Sequence, residues 1–213
     1  MDIDEMRKKM SALYDVKDWW PSESPFEVIV GAILTQQTTW ETVTKVLDSM
    51  RRKGLLDLRT LATSDGELES TVRPTGFYNQ KANRLRSIAR YLIENHDGDV
   101  RSFLDRDLAI LRKDLLSIKG IGEETADTII LFAAGKPSFV AASYVARVLT
   151  RTGALEQTSY GEVKRFVESR LPCTVQDYRE FYALCVQHCK TVCLSRPRCE
   201  ACALSGGCPS SSK

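Results

Sequence analysis

The chain has 213 residues, of which 43% are hydrophobic and 27% charged, a globular balance that excludes a disordered chain, a collagen and a small disulfide scaffold. Thirty Lys and Arg against 28 Asp and Glu leave a net charge of +2, so total charge identifies no polyanionic partner and any nucleic-acid argument rests on local placement. The longest apolar stretches, such as residues 26–34, fall short of the roughly 20 residues that span a bilayer, and no charged-then-apolar signal opens the chain, so the expectation is a soluble intracellular protein with no membrane partner.

Apolar residues recur three and four apart, only 7 prolines and 12 glycines interrupt them, and no alternating strand pattern stands out, which predicts an all-α fold. Residues 1–14 read as a charged amphipathic helix, Trp19-Trp20-Pro21-Ser22 as a break, and Pro25 as the start of the next helix. Residues 26–34 are apolar on every face, as in a buried helix. They lead into Thr35-Gln36-Gln37-Thr38-Thr39-Trp40, after which a helical pattern resumes over 41–53. Further helices are expected over 58–63, 65–72, 79–95, 100–104 and 107–118, with Gly76 and Gly98 as punctuation. After Gly122 a helix runs to Ala134, a Gly135-Lys136-Pro137 turn follows, and helices are expected over 142–152, 160–171 and 175–190. The short Ser-rich end reads as disordered.

Two segments carry chemistry. Lys119-Gly120-Ile121-Gly122 closes one helix and opens the next. Glycines there let backbone N–H groups at a helix start approach a phosphate without a Cβ in the way, and Lys119 adds charge. An ordinary helix-to-helix turn has the same look. The second segment is Cys193-x5-Cys199-x2-Cys202-x5-Cys208, four thiols within sixteen residues. An odd total of seven cysteines in a chain with no secretion signal points to metal rather than disulfides. Zinc and an iron–sulfur cluster both accept four thiolates. Zinc ribbons usually offer two close pairs, and only Cys199 and Cys202 form one, so the spacing leans towards a cluster. Cys173, Cys185 and Cys189 read as buried thiols, with Cys189 an alternative to Cys193.

Taken in order, Thr35-Gln36-Gln37-Thr38, Gly76-Phe77-Tyr78-Asn79-Gln80-Lys81-Ala82, the glycine hairpin and the terminal cysteines resemble the endonuclease III-related DNA glycosylases of the helix-hairpin-helix superfamily, over almost the whole chain. The resemblance implies a two-domain all-α fold. One domain, of six helices, spans 26–136 and contains the hairpin. The other joins 1–25 to 137–213 and carries a structural [4Fe–4S] cluster on Cys193, Cys199, Cys202 and Cys208. It further implies that Lys119, Gly120, Ile121, Gly122 and Thr125 grip the DNA backbone, and that the cluster shapes a loop turning Arg196 and Arg198 towards phosphates. Gln37 then fills the gap left by an extruded nucleotide, with Phe77 as the opposing wedge, because a stacked base hides its glycosidic bond. The first two cysteines are separated by five residues, where the family more often has six.

Two departures shape the functional expectation. Bifunctional relatives place a lysine where this chain has Glu124, and none of Lys81, Lys119 and Lys136 matches that position, so a monofunctional glycosylase without lyase activity is expected. Eighteen residues further on, Ala142 stands where the family has its catalytic aspartate, and alanine can neither stabilise a cationic sugar nor assist water. An engineered replacement is the preferred explanation, ahead of natural loss or an unseen catalytic group. Glu123, Glu124 and Asp127 read as solvated first-turn acids, and Ala32 occupies the position of the glutamate used by adenine-specific relatives.

The expected function is base-excision repair of double-stranded DNA by a monomer, impaired in this chain by Ala142. An alkylated purine is the favoured substrate, stacked on Trp40 or Tyr144, with a deaminated or mismatched pyrimidine as the alternative. The rival is a non-enzymatic lesion sensor stapled by a cluster or by zinc.

Overall fold

The computed structural model describes residues 1–156 and 159–212, and among them every regular element is helical. Twelve α-helices follow in order: α1 (Ile3–Ser11), α2 (Pro25–Leu34), α3 (Trp40–Arg52), α4 (Leu58–Thr63), α5 (Glu67–Val72), α6 (Tyr78–His96), α7 (Val100–Asp105), α8 (Leu108–Ser117), α9 (Glu123–Thr128), α10 (Ser143–Arg151), α11 (Tyr160–Glu168) and α12 (Val175–Thr191). Their starts are written in the sequence. Asp2, Ser24, Thr39, Asp57, Asp99, Asp107 and Thr174 each accept a hydrogen bond from an amide of the first turn they precede, a cap worth about 1 kcal/mol. The expected helix over 65–72 begins two residues late, because Gly66 adopts φ 67° just before it.

The chain divides into two compact units, Trp20–Gly135 and the pairing of Met1–Trp19 with Lys136–Lys213. The first holds α2 to α9, four of them only six residues long. α2 is its axis. Every residue from Phe26 to Leu34 is buried, including Glu27, whose carboxylate is held by Arg51 at 2.9 Å. α6 packs against α4, α5 and α7, and α2 packs against α3, α6 and the segment after α9. That segment, Ile129–Ala133, is a π-helical turn where the sequence suggested uninterrupted α-helix.

In the second unit α12 packs against α1 and α10. Ile3, Met6 and Met10, Val145, Val148 and Leu149, and Phe181 and Leu184 supply buried apolar faces from these three helices. Phe139 meets Tyr178 edge-on, with ring centroids 5.6 Å apart. Two expectations are corrected here. Cys173 is exposed, while Cys185 and Cys189 are buried as expected. Within the Ser-rich end, Pro209–Ser212 forms a 3-10 turn fixed by the Ser211 hydroxyl on the Ser205 and Cys208 carbonyls; Lys213 lies outside the described residues. Among the described residues no helix is long and apolar enough to cross a membrane.

Candidate functional site

The glycine hairpin joins α8 to α9. The Ile121 amide donates to the Ile118 carbonyl at 3.0 Å, closing a four-residue turn. Its third residue, Gly120, has φ 95°, which L side chains resist. A Cβ there would also drive into the aliphatic stem of Arg84. Gly122 differs: its φ is −93° and nothing stands within 4 Å of where a Cβ would be. Neither strain nor packing asks for glycine at 122, and the open space leaves the backbone approachable. Lys119 is exposed, Ile121 is anchored in the core, and the buried Thr125 hydroxyl faces inward, accepting from Gln36 Nε2 at 2.8 Å. Any phosphate contact at Thr125 therefore falls to its backbone.

The adjacent glutamines divide their roles. Gln36 is half-buried, its Oε1 accepting from Arg84 Nη1 while its Nε2 donates to Thr125. Gln37 is exposed, with φ 55°. Phe77 is 60% exposed, with φ 47°. Only three non-glycine residues among those described have left-handed backbone, and two of them are Gln37 and Phe77. Such strain concentrates at functional positions. Lys81 is 1% exposed, and its Nζ donates to the Leu34 carbonyl at 2.9 Å and the Thr75 carbonyl at 2.7 Å. Burial, then the nearby Arg84 charge, lowers its pKa to about 8. So enclosed an amine is poorly placed to attack a sugar.

Beside these loops lies an aromatic cluster of Trp20, Trp40 and Phe132. Trp40 meets the Trp20 ring edge-on at 4.8 Å, and Phe132, carried by the π turn, lies 5.0 Å from Trp20. Gly31 of α2 is the floor: both indoles stand 3.5 to 3.7 Å from where its Cβ would be. Trp20, which the sequence places in a break before Pro21, packs instead against the core. Tyr144, in the other unit, is half-buried with the Arg147 guanidinium 5.6 Å from its ring centre.

Among the acids, Asp127 is buried and bound by Arg112 at 2.9 and 3.2 Å, and Arg112 also reaches Glu123 at 3.2 Å. That pairing is structural and corrects the reading of Asp127 as a solvated acid, whereas Glu123 stays exposed as expected. Glu124, at the lysine position, keeps exposed surface, yet the protein packed around its carboxyl raises its pKa by desolvation. Ala142 is 3% exposed and is the N-cap of α10, where it offers no side-chain cap. Aspartate is among the residues most favoured in that position.

Cys193, Cys199, Cys202 and Cys208 line one cavity, together with Arg151 and His188. None is in a disulfide. Among the described residues, however, no three Cys, His, Asp or Glu ligands converge on a metal-binding geometry. The four thiols on one cavity wall suit four-thiolate ligation in composition. Arg151 Nη1 donates to Cys193 Sγ at 3.3 Å and to the Leu194 carbonyl at 2.6 Å. A hydrogen bond from Cys189, followed by those charges, brings the Cys193 thiol down to about 6. Cys189 itself stays outside the cavity lining, its Sγ 3.4 Å from the Tyr144 carbonyl. His188 bridges Tyr14 Oη at 3.1 Å and Cys202 Sγ at 3.4 Å. Arg196 and Arg198 are exposed on the same loop.

The all-helical architecture with its glycine hairpin is that of the helix-hairpin-helix class. Residues 30–173 match the family model described as "HhH-GPD superfamily base excision DNA repair protein". A Methanocaldococcus jannaschii protein named "Putative DNA repair glycosylase" is 39% identical over 92% of this chain and 90% of its own length. Endonuclease III of Synechocystis is 28% identical over 88% and 82%. The crystal structure of the Helicobacter pylori 3-methyladenine DNA glycosylase bound to 1,N6-ethenoadenine superposes with a TM-score of 0.79 at 28% identity, covering 89% of this chain and 98% of that one. A trapped endonuclease III–DNA covalent intermediate shares the fold, with a TM-score of 0.82 at 24% identity over 99% and 93%. The chain belongs to the HhH-GPD superfamily of base-excision DNA repair proteins and is an endonuclease III-like DNA glycosylase.

Proposed function

We propose that this chain recognises an alkylated purine in double-stranded DNA by extruding it from the stack, in the manner of a monofunctional glycosylase whose hydrolytic step is impaired by Ala142. The observation that carries the reading is the pair of exposed, left-handed residues Gln37 and Phe77 on the loops that lead into α3 and α6. An exposed phenyl ring held in a strained conformation gains nothing for the fold and is available to unstack a base pair. Gly120 and Gly122 supply a close backbone approach for phosphates, and Lys119, Arg196 and Arg198 supply exposed charge.

The alkylated purine is favoured by likeness to the 28%-identical glycosylase whose structure holds 1,N6-ethenoadenine. Trp40, half-buried beside Trp20 and Phe132, or Tyr144 is the ring that would stack on the purine. With Glu124 replacing the lysine and Lys81 enclosed, hydrolysis without strand cleavage is the chemistry these residues fit. The cysteine loop would hold a [4Fe–4S] cluster on Cys193, Cys199, Cys202 and Cys208, with zinc as the alternative, and the group would fix the loop that carries the two arginines. A second reading, a lesion sensor without chemistry, is favoured by Ala142 alone.

The experiment is equilibrium binding of the chain to duplexes that differ only in carrying 1,N6-ethenoadenine, uracil opposite guanine, or no lesion. The expected result is at least about tenfold tighter binding to ethenoadenine. Preference for uracil would select the pyrimidine alternative, and equal affinity for all three would overturn lesion recognition.

A further inference from the structure

Lys81 is a fully enclosed lysine with no carboxylate among the partners of its ammonium: Nζ donates to the carbonyls of Leu34 and Thr75. Burying an ammonium is costly, and two neutral carbonyls offset that cost less completely than a carboxylate would. Any hydrophobe of similar length would fill the space. What the lysine adds is the position of those two oxygens. The Leu34 carbonyl ends α2, immediately before the loop that bears Gln37, and is one of the helix-terminal acceptors no intrahelical amide satisfies. The Thr75 carbonyl precedes Gly76 and Phe77, which have φ 69° and 47°. The backbone amide of Lys81 meanwhile donates to the Phe77 carbonyl at 3.0 Å. One residue thus holds the chain on both sides of the Gly76–Phe77 bend and reaches across to the other loop. One turn further along α6, Arg84 holds Gln36, the immediate neighbour of Gln37.

We infer that Lys81 is a positioning residue that ties the Gln37 loop to the Phe77 loop, so that the two side chains enter the helix stack as one unit. The inference rests on the wedge reading above and adds how the wedge is assembled. A single ammonium serving both loops limits how far their backbones can separate. Interactions that share one rigid anchor couple energetically, whereas independent sites add.

The test is a double-mutant cycle on the full chain, using a duplex with a tetrahydrofuran abasic-site analogue beside 2-aminopurine, whose fluorescence rises on unstacking, and the unmodified duplex as control. Phe77→Ala and Lys81→Met are each expected to lower the abasic-over-unmodified preference about tenfold and to remove most of the fluorescence rise. The double variant is expected to be no worse than Phe77→Ala alone. For Lys81→Met, binding to unmodified duplex stays within about twofold, because the hairpin is untouched, and Lys81→Arg, which keeps donors on a long stem, is expected to recover most of the fluorescence. Additive losses, or undiminished discrimination by Lys81→Met, would overturn the tie while leaving the wedge standing. A silent Phe77→Ala would remove the wedge reading and the tie with it. If Lys81→Met does not fold, Lys81→Gln, whose amide can still donate, takes its place in the cycle. The same coupling at smaller amplitude is expected, and additivity again overturns the inference.

Discussion

Gln37 and Phe77 stand forty positions apart in the chain and share a left-handed backbone, with φ 55° and 47°. Each is the exposed residue at a bend that leads into a helix, α3 in one case and α6 in the other. Neither side chain is needed by the core. Phe77→Ala and Gln37→Ala are accordingly expected to leave the unfolding free energy within about 1 kcal/mol of the parent. Both are expected to weaken lesion preference more than general duplex binding, and parallel titrations of damaged and undamaged duplex measure this. Equal losses in both would contradict the wedge assignment.

The two hairpin glycines separate folding from binding. Gly120→Ala forces φ 95° on a residue with a Cβ and displaces Arg84. A stability loss of about 1–3 kcal/mol by denaturant titration is expected. Gly122→Ala meets no neighbour, so stability should hold within about 0.5 kcal/mol, while affinity for undamaged duplex falls as the methyl group blocks the phosphate approach. Unchanged affinity would remove Gly122 from the interface.

Lys81 makes stability depend on alkaline pH in a defined direction. Its folded pKa of about 8 lies below the ordinary 10.5, so between those values the unfolded chain binds more protons and stability rises with pH. The destabilising effect of burying the charge is complete below about pH 8 and has gone above about pH 10.5. Other groups cancel when the chain is compared with Lys81→Met. From pH 7 to pH 10 the parent should gain roughly 2 kcal/mol relative to that variant. A flat difference would mean that Lys81 titrates as an exposed lysine does.

The cysteine loop gives two readouts. Purified protein is expected to show broad visible absorption and about four irons per chain; zinc at about one per chain without colour would select the alternative. Arg196→Ala and Arg198→Ala should each lower the slope of log affinity against log salt by about 1 and leave lesion preference in place. An unchanged slope would mean that these side chains face solvent in the complex.

The helices were legible because their signals are local: capping Ser, Thr and Asp, apolar spacing, and glycine where the chain reverses. The hairpin and the proposed wedge residues, Gln37 and Phe77, stood out through a resemblance, whereas their left-handed backbone did not, since φ is invisible in a residue's identity. Gln36, Trp20 and Lys81 were harder. Gln36 reads like its neighbour Gln37, and only tertiary packing sends one side chain to Thr125 and the other to solvent. Trp20 lies in a proline-rich break that carries no periodicity. Lys81 occupies a helix whose sequence gives no sign that a lysine is buried, because its partners are backbone carbonyls that any residue provides.

Single-turnover base release from duplexes carrying alkylated, deaminated and mismatched bases, by this chain and by its Ala142→Asp variant, tests the central claim most directly. Position 142 is buried at the start of α10, where the helix N-terminus favours a carboxylate, and the proposed role of such a carboxylate is to stabilise the developing cationic sugar. Release of an alkylated purine by Ala142→Asp, at least about a hundredfold faster than by this chain and without strand cleavage, is the predicted result. Equal release by both proteins, or none by Ala142→Asp despite tight lesion binding, would contradict it.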